Sequence, residues 1–361
     1  MQIREIKVGK LLDFIAGEEY QNLDMKPITE ARAISQYYNP DAEHDDLALI
    51  YAAENNELLG FAGLLPKKIN GEKIKVYANT CWWADQTKGN GIAIPIFYQL
   101  LNRANSKLFL SESTFHAKSI LEKTGLFGQI ISHPGIRGFI RFYFADIVLK
   151  KLPHKKWLTK PIIFVDFVLN LLVQPYRNIF MSKYKKSGYL VEEVEKVEGE
   201  IERFIEKHSS MEFVQKTAAN FEWFKNYPWV KKSNEKESIA YPFTHQVKEY
   251  ELNYYVLKRE NEIKAFVAIS YRDNLSKIPY IYFDNKDIKD VFYSVMKLIL
   301  KKKYDSLVVF HPTIVDFMNQ NKMPFLYRKT ELKYSGTTKQ IYNFFEQRPI
   351  FQDGDGDVIF T

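Results

Sequence analysis

The segment KIKVYANTCWWADQTKGNGIAIPIFYQLLN, from Lys73 to Asn102, decides the fold of this chain. Its first part, Lys73 to Asp85, alternates and is rich in β-branched and aromatic residues, a pattern that predicts a buried strand. From Gly91 to Asn102 the apolar residues recur at helical spacing, which predicts a helix. The strand therefore passes into the helix through a short turn that contains two glycines.

This turn, Gln86 to Gly91, has three interpretations. It can be an ordinary connection in which Gly89 and Gly91 only permit a positive φ. It can bind an anion, because the unpaired N–H groups and the dipole of a helix N-terminus favour a phosphate and glycine allows its close approach. A nucleotide P-loop is excluded, because the segment lacks the Gly-Lys-Ser/Thr ending and the four-residue spacer.

The spacing Gln86-x-x-Gly89-x-Gly91 resembles the Gln/Arg-x-x-Gly-x-Gly/Ala acyl-CoA signature of the GCN5-related N-acetyltransferases (GNAT). That signature lies between the fourth strand and the third helix of the family. The resemblance implies that the loop binds the pyrophosphate of acetyl-CoA or another acyl-CoA, and that a backbone N–H of the preceding strand polarises the thioester carbonyl. The cofactor-binding residues that it implies are Trp83, Ala84, Gln86, Thr87, Lys88, Gly89, Asn90 and Gly91.

The elements predicted around the loop agree with this resemblance. Strands at 47–54 and 57–65 come before it, and a short strand at 107–111 and a helix at 116–123 follow it. The family pattern of that helix is matched in part, but Leu121 stands where the family has the tyrosine that commonly protonates the departing CoA thiolate.

The resemblance also places the acceptor amine beside the splay between the fourth and fifth strands. The candidate general bases there are Asp85, Glu112 and His116, with Cys81 further back. We expect Glu112 to be buried on its strand, where desolvation would raise its pKa, whereas His116 titrates near neutral pH without a shift. The alternative is that Glu112 pairs with a lysine and His116 caps its helix.

The second half of the chain repeats the predicted element order of the first. We therefore predict an α/β (α+β) protein of tandem GNAT folds, with mixed, mostly antiparallel sheets flanked by helices. The predicted ranges are 1–148 for a domain with the acyl-CoA loop, 149–187 for an apolar and basic helical linker, and 188–361 for a degenerate domain. This last domain should not bind CoA, because two carboxylates and no glycine occupy 283–288.

The predicted linker contains an apolar run, Pro161 to Pro175, between basic flanks. The run is shorter than the roughly 20 residues of a membrane-spanning helix and contains Asp166 and Asn170. Either it is a buried helix that joins two domains, which we favour, or it makes a peripheral membrane contact through 157–180. The tail Asp353-Gly-Asp-Gly-Asp357 lacks the distal glutamate of a calcium loop and predicts a flexible acidic turn.

Composition limits the remaining possibilities. The net charge is +7, but the lysines are spread among 44 acidic residues, so we predict no nucleic-acid partner. The single cysteine predicts a reducing compartment with no disulfide and no metal site, and the charged N-terminus does not match a signal peptide. A cytoplasmic protein is expected, with a membrane contact left open.

The leading hypothesis is an acyl-CoA-dependent N-acyltransferase that acts on a small-molecule amine, by analogy an amino sugar of a cell-envelope polysaccharide pathway. One alternative is a peptidoglycan-branching aminoacyl transferase that uses aminoacyl-tRNA, although such proteins generally lack the glycine loop. The other is an acyl-CoA-binding or scaffold protein without catalysis, for which Leu121 is the main indication.

Overall fold

The structure is a computed structural model that describes residues 2–69, 74–89, 91–151, 154–183, 188–232, 240–342, 344 and 349–360. Contacts divide the chain into two units. Unit 1 consists of Met1–His133, Lys196–Tyr250 and Lys333–Thr361, and unit 2 of Pro134–Glu195 and Glu251–Leu332. Each unit is therefore assembled from segments that are distant in sequence.

The strands are named in chain order. They are β1 (Gln2–Lys7), β2 (Leu47–Glu54), β3 (Glu57–Ile69), β4 (Ile74–Ala84), β5 (Leu108–Ser113), β6 (Phe127–Phe139), β7 (Leu190–Val194), β8 (Lys231–Lys232), β9 (Gln246–Val247), β10 (Tyr250–Arg259), β11 (Glu262–Arg272), β12 (Leu275–Phe283), β13 (Ser306–Val309) and β14 (Tyr327–Thr338).

The helices are named in the same way. They are α1 (Leu11–Ala16), α2 (Glu18–Asn22), α3 (Glu30–Tyr37), α4 (Ala93–Arg103), α5 (Phe115–Thr124), α6 (Phe144–Lys151), α7 (Thr159–Lys183), α8 (Glu200–His208), α9 (Ala218–Asn226), α10 (Ile288–Lys302), α11 (Pro312–Gln320) and α12 (Lys339–Tyr342).

The sheet of unit 1 begins with the antiparallel strands β1, β2, β3 and β4. Strand β5 is parallel to β4, and the part of β14 from residue 333 onward is antiparallel to β5. Helices α4 and α5 contribute to the apolar core on one face, and α1, α2 and α3 to a second core on the other. The expected mixed, mostly antiparallel sheet flanked by helices is thus confirmed.

The sheet of unit 2 contains β7, β10, β11, β12, β13 and the part of β6 from residue 134 onward. Strand β12 is parallel to β13, as β4 is parallel to β5. The order of three strands, helix, strand, helix and strand occurs in both halves of the chain. However, β6 and β14 each contribute residues to both units, so the contact-based division differs from the predicted ranges 1–148, 149–187 and 188–361.

Candidate functional site

Strands β4 and β5 of unit 1 separate soon after they pair. They are in register only at Tyr77 with Leu108 and Ala78 with Phe109, whereas β4 pairs with β3 along its whole length. On β4, Cys81 pairs with Gly63 and Asn79 with Leu64, so Thr80 is an extra residue in the ladder. Such a bulge bends its strand. We call the space between residues 79–84 of β4 and 110–113 of β5 the splay.

The C-terminal tail packs into the closed end of this splay. A Cβ atom built on Gly356 would lie 2.4 Å from Oγ of Ser111 on β5 and 3.6 Å from Cβ of Ala78 on β4. The φ angle of Gly356 is +74°, so conformation and space both require glycine there. Residues 352–356 are all buried, and the prediction of a flexible acidic turn is therefore wrong.

The tail is held because each of its three aspartates meets a cation within unit 1. The pairs are Lys333 with Asp353, Lys216 with Asp355 at 2.7 Å, and Arg32 with Asp357 at 3.9 Å. The side chains of Lys216 and Asp355 are each only 1% exposed, and the second oxygen of Asp355 accepts the N–H of Gln352 at 3.0 Å. Buried carboxylates are stable only when they are paired and hydrogen-bonded in this way.

The loosest of these pairs lies near Cys81 of β4. Arg32 donates from Nη1 to the hydroxyl of Tyr241 at 3.0 Å, and its guanidinium lies 4.0 Å from the ring centre of Trp229. Burial raises the pKa of the Cys81 thiol and raises that of Tyr241 to about 12. Cys81 is thus a neutral thiol and a poor nucleophile. The tail approaches this cluster through the carboxylate of Asp357, which lies 3.9 Å from the guanidinium of Arg32.

A second buried polar cluster surrounds Lys67 of β3. Its ammonium lies 3.2 Å from the carboxylate of Asp41, which also accepts the side-chain amide of Asn220 at 3.2 Å. Burial lowers the pKa of Lys67, an effect that Asp41 opposes. The indole N–H of Trp223 donates to the carbonyl of Ser35 at 2.7 Å, so this aromatic residue belongs to the core.

The turn after β4 is organised by Asp85. Its Oδ1 atom accepts the backbone N–H groups of Lys88 and Thr87, both at 2.8 Å, and the Thr87 hydroxyl at 2.7 Å. These bonds, led by the N–H of Lys88, lower the pKa of Asp85. A carboxylate with a lowered pKa is a weak base, so the structure gives Asp85 the role of holding the turn.

The two glycines of the turn differ in their surroundings. A Cβ on Gly89 would lie 2.3 Å from the carbonyl oxygen of Leu59, so this backbone packs directly against β3. Gly91 has a φ of +80° and open space around the position of a Cβ. Helix α4 begins at Ala93, slightly later than predicted, and Asn90 lies outside the described residues. The open backbone at Gly91 is the part of the loop that an anion can approach.

The other two candidate bases lie near the end of β5. Glu112 is exposed, and the prediction that it is buried is wrong, because its side chain points away from the packed face of the strand. His116 lies in the first turn of α5, and the N-cap of that helix is Thr114, whose hydroxyl accepts the N–H of Ala117 at 3.2 Å. The side chain of His116 lies outside the described residues, and Leu121 is buried in the core.

Sequence reasoning missed Arg32, Tyr241 and Asp357. The regular Asp-Gly-Asp-Gly-Asp spacing of the tail is visible in the sequence, but its partners Arg32 and Lys216 are far away in the chain, and Lys216 is 139 residues from Asp355. Within the residues that the structure describes, no group of three or more His, Cys, Asp or Glu side chains is arranged to hold a metal ion.

Comparison with known proteins identifies the fold. No known family profile matches the chain, and no curated protein matches it. The solved structure of Saccharomyces cerevisiae N-myristoyltransferase with bound myristoyl-CoA matches 99% of the chain and 83% of its own, at 12% identity and a TM-score of 0.50. A conserved protein of unknown function from Enterococcus faecalis V583, titled a probable N-acyltransferase, matches 96% of the chain and 74% of its own, at 10% identity and a TM-score of 0.50. The chain has the GNAT acyltransferase fold, as the resemblance implied.

Proposed function

We propose that this protein is an acyl-CoA-dependent N-acyltransferase whose reaction takes place at the splay of unit 1. The observation that carries the proposal is the early separation of the parallel pair β4 and β5 next to a glycine turn at the start of α4. The separated strand leaves an edge of β4 that an acyl thioester can reach, and the open backbone at Gly91 provides donors for a pyrophosphate. The bound myristoyl-CoA of the yeast neighbour supports an acyl-CoA cosubstrate.

In the proposed reaction a neutral amine attacks the thioester carbonyl. The new C–N bond forms as the C–S bond breaks, the N–H groups of β4 near Trp83 or Ala84 stabilise the oxyanion, and the CoA thiolate takes up a proton. Attack leaves an extra proton on the new amide nitrogen, and because Leu121 cannot protonate the thiolate, this proton reaches the thiolate through solvent or the general base. The acceptor that we propose, by analogy, is an amino sugar of a cell-envelope polysaccharide.

Two glycines of unit 1 allow a matched test of the cofactor loop. Gly91 and Gly125 both have a positive φ, +80° and +67°, and open space at the Cβ position. Aspartate tolerates such a backbone, so Gly91→Asp and Gly125→Asp should cost similar stability. Only the first places a carboxylate where the pyrophosphate would lie. Calorimetry should give one acetyl-CoA or longer acyl-CoA per chain, with binding about a hundredfold weaker in Gly91→Asp and unchanged in Gly125→Asp.

Equal effects of the two aspartates, or no acyl-CoA binding by the unchanged protein, would remove the basis of the proposal. Tight binding without acyl transfer to any amine would instead favour a non-catalytic acyl-CoA-binding protein.

The general base that we propose is Asp357, ahead of Glu112, His116 and Asp85. It sits one residue beyond Gly356, which contacts both strands of the splay, and its carboxylate lies 3.9 Å from the guanidinium of Arg32. Asp357→Asn should reduce turnover roughly a hundredfold with unchanged acyl-CoA affinity, across the pH range of activity. Glu112→Gln and His116→Ala serve as comparisons, and a larger loss in either one would transfer the role to that residue.

A further inference from the structure

Helix α7 of unit 2 exposes large apolar side chains and buries charged ones, which is the opposite of an ordinary surface helix. Phe164 is 66% exposed, Leu171 61% and Leu172 69%. Two charged residues of the same helix face inward instead: Asp166 is 8% exposed and Arg177 is 5% exposed. A surface helix of a soluble domain places its apolar stripe toward the core. The outward face of α7 therefore presents to solvent the kind of apolar side chains that such a helix normally buries.

The inward polar residues fasten α7 lengthwise to residues 140–145. Asp166 accepts the N–H groups of Phe144 and Ala145, both at 2.9 Å. Asn170 bonds the N–H and the carbonyl of Phe142 at 3.1 and 2.8 Å, and Arg177 donates to the carbonyl of Ile140. These contacts explain the polar residues that interrupt the apolar run. The exposure of the apolar side chains shows that the favoured prediction of a buried helix is wrong.

The same contacts bear on how α7 meets lipid. The stretch Thr159–Phe180 is long and apolar enough to cross a membrane by length and composition alone. However, one face of the helix is committed to its own unit through hydrogen bonds along its length, so only the opposite face is open to lipid. A helix with one apolar face lies in the membrane surface and does not cross the bilayer.

Basic and aromatic residues flank this apolar face. Lys155 and Lys160 are exposed just before and within the start of α7, and Trp157 between them is 73% exposed. Tryptophan favours the boundary between headgroups and acyl chains, and lysines there are attracted to anionic lipids. A second copy of the chain packed on this face by two-fold symmetry would bring like charges together, which disfavours it as the occupant.

A cationic cavity of about 310 Å³ borders the apolar face. It is lined by Ile140, Arg141, Gln174, Arg177, Asn178, Leu300, Lys301, Lys303 and Tyr304. Four of these are cations, and the carboxylate paired with Arg141, that of Asp305, lies 3.3 Å from its Nε. The Nε atom of the buried Arg177 has no hydrogen-bond partner within the described part of the chain. Gln174 and Asn178, which bond each other at 3.0 Å, lie one turn from Leu171 and Pro175 on the apolar side.

We propose that α7 lies in the surface of an anionic membrane, with its apolar face among the acyl chains and a lipid phosphate in the adjacent cationic cavity. Guanidinium and ammonium groups are the donors that bind phosphate most strongly. The cavity lies beside the apolar face, so a single phospholipid could place its phosphate in the cavity and its acyl chains against the apolar face. This interaction surface is independent of the proposed acyl transfer.

The apolar contact is tested by sedimentation with vesicles of phosphatidylcholine, alone and mixed with phosphatidylglycerol. Phe164→Ser combined with Leu171→Ser should leave the protein folded, because both side chains are mostly exposed. Vesicle binding should fall about a hundredfold or more. The matched control is Leu190→Ser with Leu332→Ser, two exposed leucines of unit 2 outside α7, which should bind like the unchanged protein.

The cavity is tested with Lys301→Gln and Lys303→Asn, the second chosen because asparagine tolerates the φ of +60° at that position. Binding to anionic vesicles should fall about thirtyfold, with little change on neutral vesicles. Lys286→Gln with Lys289→Asn removes two exposed lysines at the opposite end of α10 and should have a smaller effect.

Three results would overturn the proposal. One is the absence of sedimentation with anionic vesicles. A second is binding of inorganic phosphate that depends on Lys301 and Lys303 without any vesicle binding, which would assign the cavity to a soluble phosphate. The third is a dimer in light scattering that Phe164→Ser with Leu171→Ser dissociates, which would assign the face to a second copy.

Discussion

Replacement of Lys216 by methionine tests whether the charge pairs hold the tail in the closed end of the splay. Lys216 and Asp355 are 2.7 Å apart and each 1% exposed, so methionine would leave the carboxylate of Asp355 buried with the N–H of Gln352 as its remaining donor. Breaking a buried pair from one side costs about 3–5 kcal/mol. For a unit of this size, each kcal/mol lowers the melting temperature by about 2–4 °C, so we expect a decrease of about 6–20 °C.

The control is Lys7→Met, which removes a lysine of unit 1 whose nitrogen lies 2.8 Å from Asp45. The pair distances are nearly equal, but these side chains are 56% and 90% exposed, and a pair of this kind contributes about 0–1 kcal/mol. Urea unfolding and calorimetry measure both variants. If Lys216→Met costs less than about 1 kcal/mol, or no more than Lys7→Met, the tail is not held by buried charge and our account of the closed end of the splay is wrong.

Three further predictions concern single residues. Gly356→Ala should destabilise the protein by about 2–4 kcal/mol, since a Cβ there meets Ser111 and the φ is positive, whereas Gly125→Ala, with a positive φ but open space, should cost only about 1–2 kcal/mol in the same urea titration. Gly89→Ala should reduce stability and acyl-CoA binding together, because its Cβ would strike the carbonyl of Leu59, and a variant that binds acyl-CoA normally would contradict the assigned packing. Burial lowers the pKa of His311 to about 4, below its value in the unfolded chain, so the unfolded state binds more protons between about pH 6.5 and 4. Stability is therefore complete above pH 6.5 and falls as the pH drops through this window, by at most about 3 kcal/mol, and His311→Asn should lose less stability on acidification than the unchanged protein.

The features that the sequence predicted well are local. The strand, glycine turn and helix between residues 74 and 103 follow from periodicity and spacing within about thirty residues, and they carried the fold prediction. The positive φ at Gly91 was implied by the residue type, whereas the close contact of Gly89 with the carbonyl oxygen of Leu59 was not predicted. The repeated order of elements in the second half could be predicted for the same reason, since it also follows from local patterns.

The features that the sequence did not predict depend on distant contacts. The apolar run at 161–175 has the composition of a buried helix, and only the pairing of Asp166 and Arg177 with the backbone at 140–145 determines which face turns outward. The exposure of Glu112 depends on which side of β5 is covered, which its neighbours in sequence do not reveal. The contribution of β6 and β14 to both units is equally hidden, because in the sequence each looks like an ordinary closing strand of its own half.

The two sides of the proposed active site therefore differ in how the chain encodes them. The cofactor side is built from one continuous segment, β4 through α4, which packs against the neighbouring strand β3. The acceptor side needs three segments of unit 1, because the tail is held by Arg32, Lys216 and Lys333. Contacts between such distant residues form only after long loops close. The cofactor loop can consequently be recognised from the sequence as a motif. The acceptor side forms only when the tail pairs with Arg32, Lys216 and Lys333.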